Sequence, residues 1–156
     1  MNTEYETAMR VALDHAKLAA SSGEVPVGAV VLLKNEIIAA RHNERESLSD
    51  PTAHAEVLAL RDAATNLGTW HLDECTLVVT LEPCIMCAGA LISARIHTLV
   101  IVAADLKGGA ASSLYNVCSD PRINHNPVVI HGVLQDESAK LLKNFFEPKR
   151  AGGLRR

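Results

Sequence analysis

Two short segments combine residue types and spacing that can do chemistry: His54-Ala55-Glu56 and Pro83-Cys84-Ile85-Met86-Cys87. Cysteines three apart share a face of a helix. In a first helical turn, unpaired backbone N–H groups and the helix dipole favour thiolates. Two thiolates and the His54 imidazole make three ligands of the kind zinc prefers. A structural zinc site is closed by a fourth protein ligand, whereas a catalytic one leaves that corner to water. Glu56 lies two residues from His54, so on a helix flank the two side chains would point to nearly opposite sides. Both reach one metal only if it lies beyond the helix end, with the side chains curling over the first turn. The spacing therefore asks for two helix N-termini converging on one ion. Taken alone, Cys-x-x-Cys also reads as a redox pair, and His-x-Glu carries little.

The remaining sequence predicts the elements that would position these groups. Asp50-Pro51 reads as an N-cap and first-turn proline, opening a helix over residues 50–67 that stops at Gly68. Pro83 opens a second helix reaching about Ala94. Residues 75–81 and 98–103 read as strands. Residues 27–33 and 37–41 flank Lys34-Asn35-Glu36 as a β-hairpin. Thr3-Glu4-Tyr5-Glu6 resembles a capping box, and behind it Tyr5, Met9, Ala12, Leu13, Ala16 and Ala20 recur at helical spacing up to Gly23. Residues 42–49 form a polar loop, and 108–113 are rich in Gly and Ser. A short strand at 128–131 and a helix over 137–146 close the chain, with residues from Ala151 onward expected to fray. Strands alternating with helices imply an α/β fold with parallel pairing and both sheet faces covered. The long connection before the fifth strand allows a crossover, hence a parallel fifth strand. In such a sheet both helix starts lie at the carboxyl edge of the strands, the usual place for a ligand crevice.

The 156 residues suit a single domain over residues 1–150, with a flexible basic tail at 151–156. At 48% hydrophobic and 21% charged, the composition excludes a disordered or collagen-like chain. No apolar run reaches the about 18 residues of a membrane span. Glu4, Glu6 and Asp14 stand where a signal peptide would be basic and apolar, so a cytoplasmic location is expected. Four cysteines then suggest thiol or metal chemistry rather than disulfides. Cys75 and Cys118 read as buried small residues, His71 and His97 as structural. The net charge of −3 argues against coating nucleic acid by bulk attraction, but the charge is uneven. From Ala139 onward six basic residues face one acid, Glu147. That end either touches phosphates or simply solubilises a helix end. Aromatic residues make up 3%, too few for a broad base-stacking platform.

The order His-x-Glu…Pro-Cys-x-x-Cys is the known signature of zinc-dependent nucleobase deaminases. Cytosine, guanine and riboflavin-pathway deaminases share it, but longer words are more discriminating. Val25-Pro26-Val27-Gly28-Ala29-Val30, His42-Asn43, Asp50-Pro51-Thr52-Ala53-His54-Ala55-Glu56, residues 80–90 from Thr80-Leu81-Glu82 to Ala88-Gly89-Ala90, Ser113-Leu114-Tyr115-Asn116 and Asn124-His125 resemble the bacterial tRNA-specific adenosine deaminases in order and spacing. The resemblance covers about residues 3–147. It implies a cytidine deaminase-like fold, a three-layer α/β/α sandwich around a five-stranded mixed sheet. It implies hydrolytic deamination of the wobble adenosine in a tRNA anticodon stem-loop by a homodimer carrying one Zn²⁺ per subunit. His54, Cys84 and Cys87 would hold the metal and Glu56 would move protons. Asn43 would hydrogen-bond the base, with the Ala55 amide and Glu82 carbonyl also touching it. Val27 would pack on the ring, or is simply a buried hairpin valine. Asp105, Lys107, Asn124 and His125 would make further substrate contacts. Two departures fall near the expected RNA face: Ile101-Val102-Ala103-Ala104 replaces a common Phe-Gly-Ala run, and Ser112 stands where glycine is usual. Deamination of a small free base such as guanine is the alternative activity. A zinc-stabilised RNA-binding module without catalysis is the alternative class, against which Glu56 argues, since a structural site has no use for an acid that is not a ligand.

Overall fold

The computed structural model describes residues 3–151. Five strands form one mixed sheet in the order β2-β1-β3-β4-β5, comprising β1 (Gly28–Leu33), β2 (Glu36–His42), β3 (Cys75–Leu81), β4 (Thr98–Ala103) and β5 (Val128–His131). β1 pairs antiparallel with both β2 and β3, while β3, β4 and β5 run parallel, as the length of the last connection predicted. The hairpin turn is two residues, Lys34 (φ 50°) and Asn35 (φ 67°), both left-handed as the tightest hairpins require.

Four helices cover the sheet. α1 (Glu6–Ser21) lies across β1, β2 and β3, with α4 (Gln135–Ala151) beside it against β4. α2 (Ala55–Leu67) packs on β2 and β1 and meets α3 (Ile85–Ser93), completing the third layer. The central strands are apolar on both faces because both are covered: Val30, Val31, Val78, Val79, Leu99, Val100 and Ile101 are fully buried. Gly28 marks where α1 crosses closest, since a Cβ there would lie 1.8 Å from the Ala12 carbonyl oxygen.

Predicted boundaries move in all four helices. α1 starts at Glu6 with Tyr5 as its cap, after a 3₁₀ turn over Thr3–Tyr5, rather than from a capping box at Thr3. α2 starts at Ala55, not Asp50, because the Asp50 carboxylate accepts the Thr52 amide and hydroxyl (both 2.8 Å) and closes a separate turn. α3 starts at Ile85, capped by Cys84, two residues beyond Pro83. α4 is longer than predicted and takes Pro148 inside it. The expected basic tail lies outside the described residues, apart from Ala151, whose backbone ends α4.

Candidate active site

The reversal of the hairpin brings four chain segments to one sheet edge. Because β1 runs against β3, the start of β1 and the end of β2 lie beside the carboxyl ends of β3 and β4. Val27, Asn43, Leu81, Glu82 and Asp105 thereby surround one cavity of about 410 Å³, into which the start of α2 brings His54, Ala55 and Glu56 and the start of α3 brings Cys84. His54 and Cys84 are themselves the N-cap residues of α2 and α3, with extended backbones (ψ 149° and 176°) that swing both side chains past the helix ends. Convergence of two helix N-termini, read from the spacing alone, is what the chain builds.

The donors lie close together. His54 Nδ1 is 3.6 Å from Cys84 Sγ and 3.4 Å from Cys87 Sγ, and all three ligand atoms lie within 4.8 Å of one another. A four-coordinate metal with nitrogen at about 2.0–2.1 Å and sulfur at about 2.3 Å sets those atoms about 3.5 Å apart, so the donor set fits such an ion. Among the described residues no other His, Cys, Asp or Glu group of this kind occurs. A hydrogen bond from Cys87, opposed by burial and aided by His54, holds the Cys84 thiol down to about 4. The same contact with Cys84, together with burial, pushes Cys87 up. The hydrogen bond with Cys84 raises His54.

Glu56 is 4% exposed, and its Oε2 lies 3.5 Å from Cys87 Sγ. Burial first of all pushes its carboxyl above the ordinary range. It is thus an acid beside the donors whose burial favours the protonated form.

The other walls are less uniform. Asn43 is buried, its Nδ2 donating to the Val25 carbonyl and its Oδ1 accepting the Arg45 amide, both at 3.4 Å. Val27, 8% exposed, presents an apolar surface. Lys107 stands exposed on the wall, as does Arg45, which sequence reasoning passed over as one charge in a polar loop. Asp105 spends its carboxylate locally, accepting the amides of Lys107 and Gly108 at 3.1 and 3.2 Å. Asn124 and His125 are not brought to this cavity. Asn124 accepts from Arg95 Nη1 at 3.4 Å, and His125 Nε2 lies 2.7 Å from the Ile96 carbonyl, both at the amino edge of β4. The six-residue length of β4, about 20 Å, lies between that edge and the cavity. Elsewhere Cys75 and Cys118 are buried and unpaired with each other, and His97 Nδ1 contacts the Thr98 hydroxyl at 2.8 Å.

The deaminase family represented by the MafB19-like deaminase model matches residues 3–150. A tRNA-specific adenosine deaminase of Bacillus subtilis is 45% identical over 148 residues, covering 95% of this chain and 92% of that protein. This chain belongs to the tRNA-specific adenosine deaminase family. A solved structure from work on tRNA:A34 deaminases acting at the wobble position superposes on this family member with a TM-score of 0.84 at 44% identity, over 86% of this chain and 97% of the other. The guanine deaminase of Nitrosomonas europaea is more distant, with a TM-score of 0.77 at 26% identity over 92% of this chain and 84% of the other. The mixed sheet of the tRNA deaminase family, with its hairpin at one edge, is therefore the expected cytidine deaminase-like fold.

Proposed function

We propose that this chain hydrolyses the wobble adenosine of a tRNA anticodon to inosine, releasing ammonia. The carrying observation is Glu56, a buried acid that need not be a ligand, set beside three converged metal donors on the floor of a cavity. A non-catalytic zinc module offers no use for it.

In this reading a single catalytic domain over residues 1–150 carries one Zn²⁺, held by His54, Cys84 and Cys87. Bound there, zinc supplies acidification of a water molecule to a pKa of about 7, and so a nucleophile at neutral pH. Glu56 accepts the proton released as water oxygen adds to C6 of adenine and delivers it to the ring nitrogen. As the C6–N bond breaks, Glu56 takes the remaining proton from the C6 hydroxyl and passes it to the departing amine, which leaves as ammonia while the C6 carbonyl of inosine forms. Asn43 hydrogen-bonds the base and Val27 packs against its face. The Ala55 amide, in a first turn whose N–H groups lack partners within the helix, points a donor at the same place. The Glu82 carbonyl, at the end of β3, accepts from the base. Lys107 and the turn made by Asp105 contact the flanking nucleotides. C6 is unreachable in a stacked stem, and a loop presents the base at low cost.

The face made by α2 and α3 suits a second copy of the chain. Trp70, 58% exposed, lines an apolar recess there with Val57, Leu60, Ala64 and Ala90, and Ile85 of α3 is exposed to the same extent. We assign the enzyme to the cytoplasm as a homodimer; no helix among the described residues is long and apolar enough to cross a membrane.

The test is incubation of the zinc-loaded protein with an anticodon stem-loop and, separately, with free guanine. Ammonia and inosine from the stem-loop are expected. Ammonia from guanine alone would replace this reading with free-base deamination.

A further inference from the structure

The 105–113 segment carries Asp105, Lys107 and Gly108 into the cavity wall, yet it contains no helix or strand. One side chain joins its two ends, on either side of the turn that the Asp105 carboxylate closes. Glu82 is 2% exposed, and its Oε1 accepts the Asp105 amide at 3.3 Å and the Ser113 hydroxyl. Its Oε2 accepts the amides of Ala111, Ser112 and Ser113 at 3.1, 3.0 and 3.0 Å. Four amides and a hydroxyl, drawn from both ends of the segment, thus close on a single carboxylate, an internal version of a backbone anion nest. Gly109 passes directly over it. A Cβ there would lie 2.4 Å from the carboxyl carbon and Oε2 of Glu82 and 2.6 Å from the Asp105 carbonyl oxygen, so the segment closes only around glycine.

The donor pattern specifies the acceptor. Both oxygens receive hydrogen bonds from groups that can only donate, or that are already oriented to donate, so a carboxamide in this place would turn its NH₂ against at least one backbone N–H. From this we propose that Glu82 is a positioning residue. Its side chain never reaches the base, but it ties the two ends of the 105–113 segment so that Lys107 stands at the cavity mouth, and thereby sets affinity for the RNA around the reacting nucleotide. The proposal rests on the RNA substrate argued above.

The experiment uses the full-length zinc-loaded protein carrying Glu82→Gln, with Gly109→Ala as a second variant that disturbs the same tether from the other side. Metal content, hydrogen exchange of residues 105–113, and kcat and KM on an anticodon stem-loop are read for each. Metal content should stay at the wild-type level while the amides of 111–113 exchange at least about tenfold faster. KM should rise on the order of tenfold with kcat within about threefold, the signature of lost substrate binding rather than lost chemistry. Ser113→Ala, which deletes one donor of five, should move exchange and KM the same way by less. Unchanged exchange and KM in Glu82→Gln would overturn the proposal. So would loss of metal with a fall in kcat and an unmoved KM, which would make Glu82 a support of the metal ligands instead. The exchange measurement needs no substrate, so a wrong substrate shows separately, as wild-type protein that releases no ammonia from the stem-loop.

Discussion

Glu56 Oε2 and Cys87 Sγ lie 3.5 Å apart, although their residues are 31 positions apart and sit on different helices. Each is in the first turn of its helix, so this contact joins those of His54 with Cys84 and Cys87 in tying the two N-termini together. It also places the acid against the rim of the donor set rather than within it, since the three candidate ligands close without a carboxylate oxygen.

Removing that acid should separate chemistry from metal binding. Glu56→Ala is expected to retain fold and bound zinc while losing at least on the order of 10²-fold in deamination rate. Metal analysis and an inosine-formation assay on the same preparation check it; unchanged turnover would remove Glu56 from the mechanism.

His54→Ala should act differently. With one of three donors gone, bound zinc should fall, and activity with it. Elemental analysis after dialysis decides the point: full occupancy in the variant would require another ligand set.

Another buried acid near the cavity should report on pH. Glu24, 1% exposed, accepts the amides of Glu46 and Ser47 at 2.9 and 3.0 Å and the Ser47 hydroxyl at 3.1 Å, holding the loop that carries Asn43 and Arg45. Burial pushes its carboxyl up, but these donors outweigh burial and hold it below its ordinary value. A carboxyl more acidic in the folded than in the unfolded chain contributes stability above its unfolded pKa, about 4.3, and loses it as pH falls through the folded value. Glu24→Gln should therefore cost about 1–3 kcal/mol at neutral pH, the price of leaving buried donors unmatched. The gap between variant and wild type should narrow on acidification below about pH 4. Denaturant melts across pH 3–7 test this; a gap that stays constant would contradict it.

Gly28→Ala should be far more disruptive than its single methyl suggests. The added carbon would lie 1.8 Å from the Ala12 carbonyl oxygen, so α1 must move off the sheet. A loss of at least about 1–3 kcal/mol is expected, read as a lowered thermal midpoint. An unchanged midpoint would mean that α1 shifts freely over β1.

Local signals carried much of this in the sequence. The hairpin, the parallel fifth strand and the convergence of His54 with Cys84 and Cys87 follow from short-range periodicity, a loop length and ligand spacing. Helix starts were less legible. Asp50 is a good cap by residue type, but its carboxylate is taken by Thr52 before the helix begins. The Glu82 side chain was opaque for a different reason: its donors lie 23–31 residues downstream, and nothing local distinguishes an acid that binds backbone from one facing water. For Asn124 and His125, family resemblance named the residues without revealing that a single chain carries them to the opposite edge of the sheet.

The left-handed Lys34–Asn35 turn has a practical consequence. It is exposed, and it joins the ends of β1 and β2 that lie farthest from the metal donors, beside the start of β3. A fluorophore, an affinity tag or a tether to a second protein grafted at that tip would ride on the molecule with a whole strand between it and the reacting nucleotide.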